Sequence, residues 1–253
     1  MIAAFFGHGA PVLAIDPVKG GEFATWGAEI VARHGRPRAI VVVSAHWSEP
    51  SITLGSTRAP ATIHDFRGFP SALYDLRYPA PGDPHLADEV AALLGGGVAR
   101  SERGFDHGVW TPLWHMVPDA TIPVLQISLI DGARAVFGVG QRLATLLDSG
   151  VFIAGSGSIT HNLGQIGADG EAAPAWAVEF DAWCADVVAR RDWDALVDYR
   201  QLAPHAVHAH PTEEHLLPLL FAAGVGAAAT AIRFPIAGFE FGSISRRCIE
   251  FDR

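Results

Sequence analysis

The sequence predicts an α/β fold: one domain spanning residues 1–253, with a mainly parallel or mixed central sheet flanked by helices. Two observations predict it. Short β-branched apolar runs alternate with longer segments of helical periodicity, the pattern of buried strands joined by crossover helices. No internal repeat, low-complexity tract or Ser/Gly linker divides the chain. The length and the 49% of hydrophobic residues are enough for a sizeable core.

Taken in order, Ala3–Phe6 is a fully apolar first strand, and Gly21–His34 is the first helix. Ala39–Val43 (AIVVV) is the clearest strand, and Ser51–Leu54 (SITL) is a weaker one. From Pro60 to Pro84 no period of 2 or 3.6 persists, and Pro, Gly and aromatics are dense. That stretch is expected to be a long ordered loop, of the kind that forms lids or pocket walls. Pro84–Leu94 is a helix; Arg103–Trp110 is a loop ahead of the apolar stretch Thr111–Met116. Pro123–Leu129 (PVLQISL) and Val151–Ala154 (VFIA) are strands either side of the helix Ala135–Asp148. In the helix Pro174–Arg190, Trp176, Phe180, Trp183 and Val187 recur every three or four residues and form one apolar face. Pro211–Ala223 is a helix with Pro in its first turn and two carboxylates at its positive end, and Thr230–Phe234 is a last strand.

Composition excludes several functions. With 18 Lys+Arg against 27 Asp+Glu the formal charge is −9, and no basic cluster offers a phosphate-binding surface, so nucleic acid is not expected as a partner. The N-terminus lacks a basic leader, and the longest apolar run, Leu216–Ile232, is broken by Pro218, Gly224 and Gly226. No membrane span is expected. Two cysteines, Cys184 and Cys248, form neither a disulfide framework nor a C-x-x-C pair, and a reducing cytoplasm is the simplest compartment. There is no P-loop, no G-x-G-x-x-G, no G-x-S-x-G elbow and no H-E-x-x-H.

Histidine is the outlying residue type, with 12 in the chain. Ala3–Phe6 runs into Gly7-His8-Gly9, Ala39–Val43 into Ser44-Ala45-His46, and Val151–Ala154 through Gly155-Ser156-Gly157-Ser158 toward His161. The carboxyl ends of parallel strands share one sheet edge, where ligand crevices form. Three separate segments thus bring imidazoles to one edge, and the glycines beside them permit sharp turns or close approach to a bound group. His107 and the pair Glu214-His215 lie on two further segments that can join them. A histidine-built metal centre at the strand carboxyl ends is the expected chemistry. His34 and His115 read as helix-surface or packing residues and His85 as part of a helix entry. His205 and His208 read as loop residues, and His64 as a lesser candidate for substrate contact.

Six blocks, in order over about residues 5–224, carry a resemblance: FFGHGAPVLAID, VVVSAHWSEP, IHDFRGFPSALYDLRYPAPGDP, RGFDHGVWTPLWHMVPDATIPVLQISL, FIAGSGSITHNL and HPTEEHLLPLLFAAG. The chain resembles the class III extradiol ring-cleaving dioxygenases, in particular the DOPA 4,5-dioxygenase-like branch. It departs from them at Ala10, where the family usually has Ser. The resemblance implies one α/β domain around one non-haem metal, Fe(II) in active enzymes, with zinc also carried by relatives. It implies His8 and His46 as metal ligands and His215 as the third, with Glu214 and His210 as rivals. His161 matches the family's acid/base histidine, and His107 a second histidine that binds or orients substrate. The implied partners are a small catecholic aromatic substrate and O2; a homo-oligomer is left open.

The implied reaction inserts both atoms of O2 and opens a catechol ring beside its vicinal hydroxyls. It needs a redox metal with open positions, a base for a hydroxyl proton, and an acid as the O–O bond breaks. An imidazole titrating near working pH suits both proton transfers. Within the Ile63–Tyr78 segment, Arg67, Arg77 and Tyr78 are candidates for holding a carboxylate or ring substituent. Two alternatives share the histidine cluster: a zinc-dependent hydrolase, and a non-enzymatic Memo-like metal-binding protein.

Overall fold

The computed structural model describes all of residues 1–253. The strands are β1 (Ala3–Gly7), β2 (Ala39–Ser48), β3 (Thr53–Gly55), β4 (Ala99–Ser101), β5 (Val124–Leu129), β6 (Val151–Gly157), β7 (Ala231–Arg233), β8 (Phe239–Glu240), β9 (Ile244–Ser245) and β10 (Ile249–Asp252). The helices are α1 (Pro17–His34), α2 (Ala72–Asp75), α3 (Pro84–Leu93), α4 (His107–Met116), α5 (Ala133–Leu143), α6 (Ala175–Ala189), α7 (Trp193–Val197), α8 (Tyr199–Leu202), α9 (Ala206–Ala209) and α10 (Leu217–Val225). None is long and apolar enough to cross a membrane.

Eight strands form one mixed sheet in the order β4-β3-β5-β2-β6-β1-β10-β7. Its centre, β5-β2-β6-β1, is wholly parallel, whereas β10 and β7 add antiparallel strands at one side. Residues of β1 alternate between two cores, as the period of two requires. Ala3 and Phe5 pack with α5, α6 and α10, while Ala4 and Phe6 pack with α1 and α4. Both faces are therefore covered, which is why the central strands read as continuous apolar runs.

Several expectations are corrected by the structure. Pro211–Ala223 is not one helix: residues 211–216 form turns, and α10 begins only at Leu217 with Pro218 in its first turn. The two carboxylates therefore do not sit in a helical first turn. Conversely, Arg103–Trp110 is not loop throughout, because α4 begins at His107. Helix α1 starts four residues before the expected Gly21, at Pro17. There Asp16 caps it by accepting from the Val18 and Lys19 N–H groups at 2.9 Å each. Strand β10 and the helical turns from Trp193 to Ala209 are too short to register as periodic patterns.

Beneath the antiparallel edge, Glu250 accepts hydrogen bonds from Trp26 (2.9 Å), Arg33 (2.6 Å) and Arg233 (2.7 Å). Burial alone would raise this carboxyl pKa, but the Arg33, Trp26 and Arg233 donors outweigh it and hold the group below its ordinary 4.5. The ionised form is thus favoured by folding, and the stability it supplies is lost as pH falls from about 4.5 through the lower folded value. Urea denaturation midpoints should fall over that acid range, and the fall should be shallower in Glu250→Gln. Equal slopes in the two proteins would remove the network from the acid response.

Candidate metal centre

Parallel pairing brings the carboxyl ends of β1, β2 and β6 to one edge. His8 directly follows β1, His46 lies near the end of β2, and His161 lies four residues past β6. His107 is the first residue of α4, and His215 sits in the turn before α10. The two β6 glycines have a reason other than the expected one. A Cβ on Gly157 would lie 2.2 Å from the His215 carbonyl oxygen, and one on Gly155 would lie 1.9 Å from that of Pro218. They admit the backbone carrying His215, not a bound group. Ser158 N–H completes the join by donating to the His215 carbonyl at 2.9 Å.

All five of these histidines line one cavity of about 530 Å³, together with Glu214. One ligand nitrogen from each of His8, His46 and His215 lies within 4.8 Å of the others. The surrounding hydrogen bonds decide which nitrogens those are. Ser156 Oγ donates its one proton to the Gly108 carbonyl at 2.5 Å, so it can only accept from His8 Nδ1 at 2.9 Å. His215 Nδ1 donates to Glu214 Oε1 at 3.0 Å, and His46 Nδ1 faces Asp65 Oδ2 at 3.6 Å. With Nδ1 protonated toward these acceptors, the Nε2 lone pairs are left for the cavity. His8 Nε2 and His46 Nε2 stand 3.1 Å apart, two acceptors that a shared cation satisfies. The donor set therefore fits a divalent transition metal.

Electrostatics agree with that fit. Burial, reinforced by neighbouring histidines, drives the His8 and His215 pKa values well below the ordinary imidazole value. At His46 burial and the His107 charge outweigh the attraction of Asp65 and lower the value to about 3. Neutral imidazoles are the ligating form, so the cluster is ready for a cation at neutral pH.

The other two histidines differ in their settings. His107 Nδ1 donates to Asp65 Oδ1 at 3.0 Å, and the His107 backbone N–H reaches the same oxygen at 3.0 Å. Burial would raise the Asp65 pKa, but these His107 hydrogen bonds pull it down to about 2. His161 stacks flat on His215, with centroids 3.4 Å apart and planes 7° apart. Its pKa is lowered to about 4, chiefly by burial, although Glu214 opposes the shift. That is below the near-neutral value expected of an acid/base group.

Of the rivals, Glu214 lines the cavity and forms with His161 and His215 a second group able to hold a metal ion, while its Oε1 accepts from His215 Nδ1 and Thr212 Oγ1. His210 does not line it: its Nε2 donates to the Ile159 carbonyl at 2.6 Å, in a buried position beside Phe180. His64 is likewise absent from the cavity and donates to the Leu76 carbonyl at 3.1 Å.

The Pro60–Pro84 segment does wall the cavity, but through Phe66 and Phe69. None of Arg67, Arg77 and Tyr78 lines it. Arg77 donates to the Tyr74 and Leu76 carbonyls, Tyr78 is buried with its hydroxyl donating to the Val117 carbonyl, and Arg67 is exposed. Sequence reasoning missed Asp65, Ser156 and Glu240. Asp65 stands beside His64, but nothing in the local pattern marks the aspartate rather than the histidine as the residue turned to the site. Glu240 accepts from Ala10 N–H at 2.6 Å, so the backbone at the departure from the family's Ser is held from the far end of the chain.

Fold and site together define a class: an α/β protein whose strand-end histidines line one cavity and could hold a metal ion. Residues 3–241 match the family described as the catalytic LigB subunit of aromatic ring-opening dioxygenase. The chain is 37% identical to the 4,5-DOPA dioxygenase extradiol of Escherichia coli (strain K12), over 99% of its own length and 94% of the relative's. It is 39% identical to the 4,5-DOPA dioxygenase extradiol of Beta vulgaris, over 87% and 85%. A solved structure of an uncharacterized protein from Escherichia coli K12 superposes with a TM-score of 0.84, at 31% identity and 99% coverage of both chains. The chain belongs to this family and is an extradiol aromatic ring-opening dioxygenase.

Proposed function

We propose that residues 1–253 form one catalytic domain that uses Fe(II), held by His8, His46 and His215, to open the ring of a catecholic substrate with O2. The observation that carries this reading is the convergence of three imidazole nitrogens within 4.8 Å in a cavity that His107 and His161 also line. Bound Fe(II) would supply a Lewis-acid anchor for two vicinal hydroxyls and a route for electrons between ring and O2. Both oxygen atoms enter the product, so no outside electron donor is needed.

The protein's own residues handle protons and orientation. His161 is neutral at working pH, so a ring nitrogen can accept a hydroxyl proton from the substrate. A catecholate held beside it raises its pKa, which brings the imidazolium back toward the range where it can return that proton. His107 is oriented by Asp65 at Nδ1, leaving Nε2 for the cavity. Held in that orientation, the His107 ring can hydrogen-bond a substrate oxygen and fix the ring in the cavity. Glu214 and Ser156 fix the tautomers of His215 and His8.

The test is reconstitution of metal-free protein under nitrogen with Fe(II) or Zn(II), followed by a catechol and air. The iron form should consume oxygen and give a yellow ring-opened semialdehyde, and the zinc form should give neither, because zinc has no accessible redox step. Oxygen uptake with neither metal would overturn this reading and favour the hydrolase.

A further inference from the structure

Resting on that reading, we propose that the preferred substrate is a catechol with an apolar substituent rather than a carboxylated catechol. The cavity of about 530 Å³ exceeds the need of one ring: a dry cavity of about 150 Å³ suffices for benzene. Away from the histidines the space is bounded by Phe66, Phe69, Leu163, Ile166, Phe241 and Ile244. Two of these, Leu163 and Ile166, are 62% and 50% exposed, large apolar side chains left in water close together in sequence. An apolar substituent would cover them, which is the physical return for exposing them in the free protein.

Charge points the same way. No lysine or arginine lines the cavity, so a substrate carboxylate would be desolvated without a cationic partner. Four cations outside the lining are held by other groups of the protein. Lys19 is 2.9 Å from Glu240 and 3.3 Å from Asp169, Arg247 binds Asp181, and Arg246 binds Glu22. Arg103 donates to the His46 carbonyl at 3.0 Å. The fixed charges that do line the cavity are carboxylates, which repel a substrate carboxylate further. Glu240 is neutralised by Lys19 and the Ala10 N–H, whereas Glu214 takes both of its hydrogen bonds, from His215 and Thr212, on Oε1. DOPA, which the names of the relatives above specify, carries a carboxylate that finds no lysine or arginine in this lining.

The experiment compares butylcatechol, protocatechuate, dopamine and L-DOPA in two ways. Anaerobic calorimetry measures their Kd without turnover, and oxygen uptake by the Fe(II)-loaded protein measures kcat/KM. Butylcatechol should lead protocatechuate and L-DOPA by about tenfold or more on both scales, and dopamine, which lacks the carboxylate, should bind more tightly than L-DOPA. Ile166→Arg, at the exposed rim, should reverse part of that preference by raising protocatechuate relative to butylcatechol. Equal or tighter binding of protocatechuate or L-DOPA than of butylcatechol by the parent protein overturns the proposal. Absence of oxygen uptake with every catechol would instead sink the dioxygenase mechanism, and the binding order would still decide the specificity.

Discussion

Purified His161→Ala should retain its metal and bind a catechol anaerobically, yet its kcat should fall about 10²–10⁴-fold, the range of a lost proton-transfer group. The ring of His161 is stacked on His215 rather than joined to the His8–His46–His215 nitrogens, so its removal leaves those three donors in place. What disappears is the imidazole that accepts the substrate proton. Metal analysis, calorimetry and steady-state oxygen uptake on one preparation separate these effects. Turnover within a few-fold of the parent would take His161 out of the reaction.

His46→Ala should fail one step earlier. Its Nε2 lies 3.1 Å from His8 Nε2, and without it two imidazoles remain to hold the ion. Metal content after dialysis should fall to near background, and oxygen uptake should fall with it, by more than in His161→Ala. The core should survive, because His46 lies at the cavity end of β2, beyond the apolar Ala39–Val43 run. Circular dichroism checks this. Full iron occupancy in a folded His46→Ala protein would overturn the ligand assignment. The two variants together form a discriminating pair: one loses the ion, the other only the proton chemistry.

Much of the centre was legible along the chain because its parts obey simple periodicities. A fully buried parallel strand needs an unbroken apolar run, and AIVVV and VFIA announce themselves. The residue just past such a run lies at the ligand-binding edge, which singled out His8 and His46. The pattern was misleading where a polar cluster mimicked a helix start. Pro211-Thr212-Glu213-Glu214 has the composition of a first turn, yet residues 211–216 are turns. There Tyr199 and Arg200 hold Glu213, and Glu214 is turned back onto His215. Local propensity was overridden by hydrogen bonds to residues beyond its reach.

What the order of residues determined by itself is the layered α/β architecture and the supply of imidazoles to one sheet edge, since both follow from spacing within a few neighbours. Which side chains orient those imidazoles was decided only in three dimensions. Asp65 reaches His107 across 42 positions, and Ser156 reaches His8 across 148. The same holds for the cavity wall, where Phe66 and Phe69 meet Phe241 and Ile244 from the opposite end of the chain. Tautomer, pKa and pocket polarity depend on through-space distance and exclusion of water, and sequence separation measures neither.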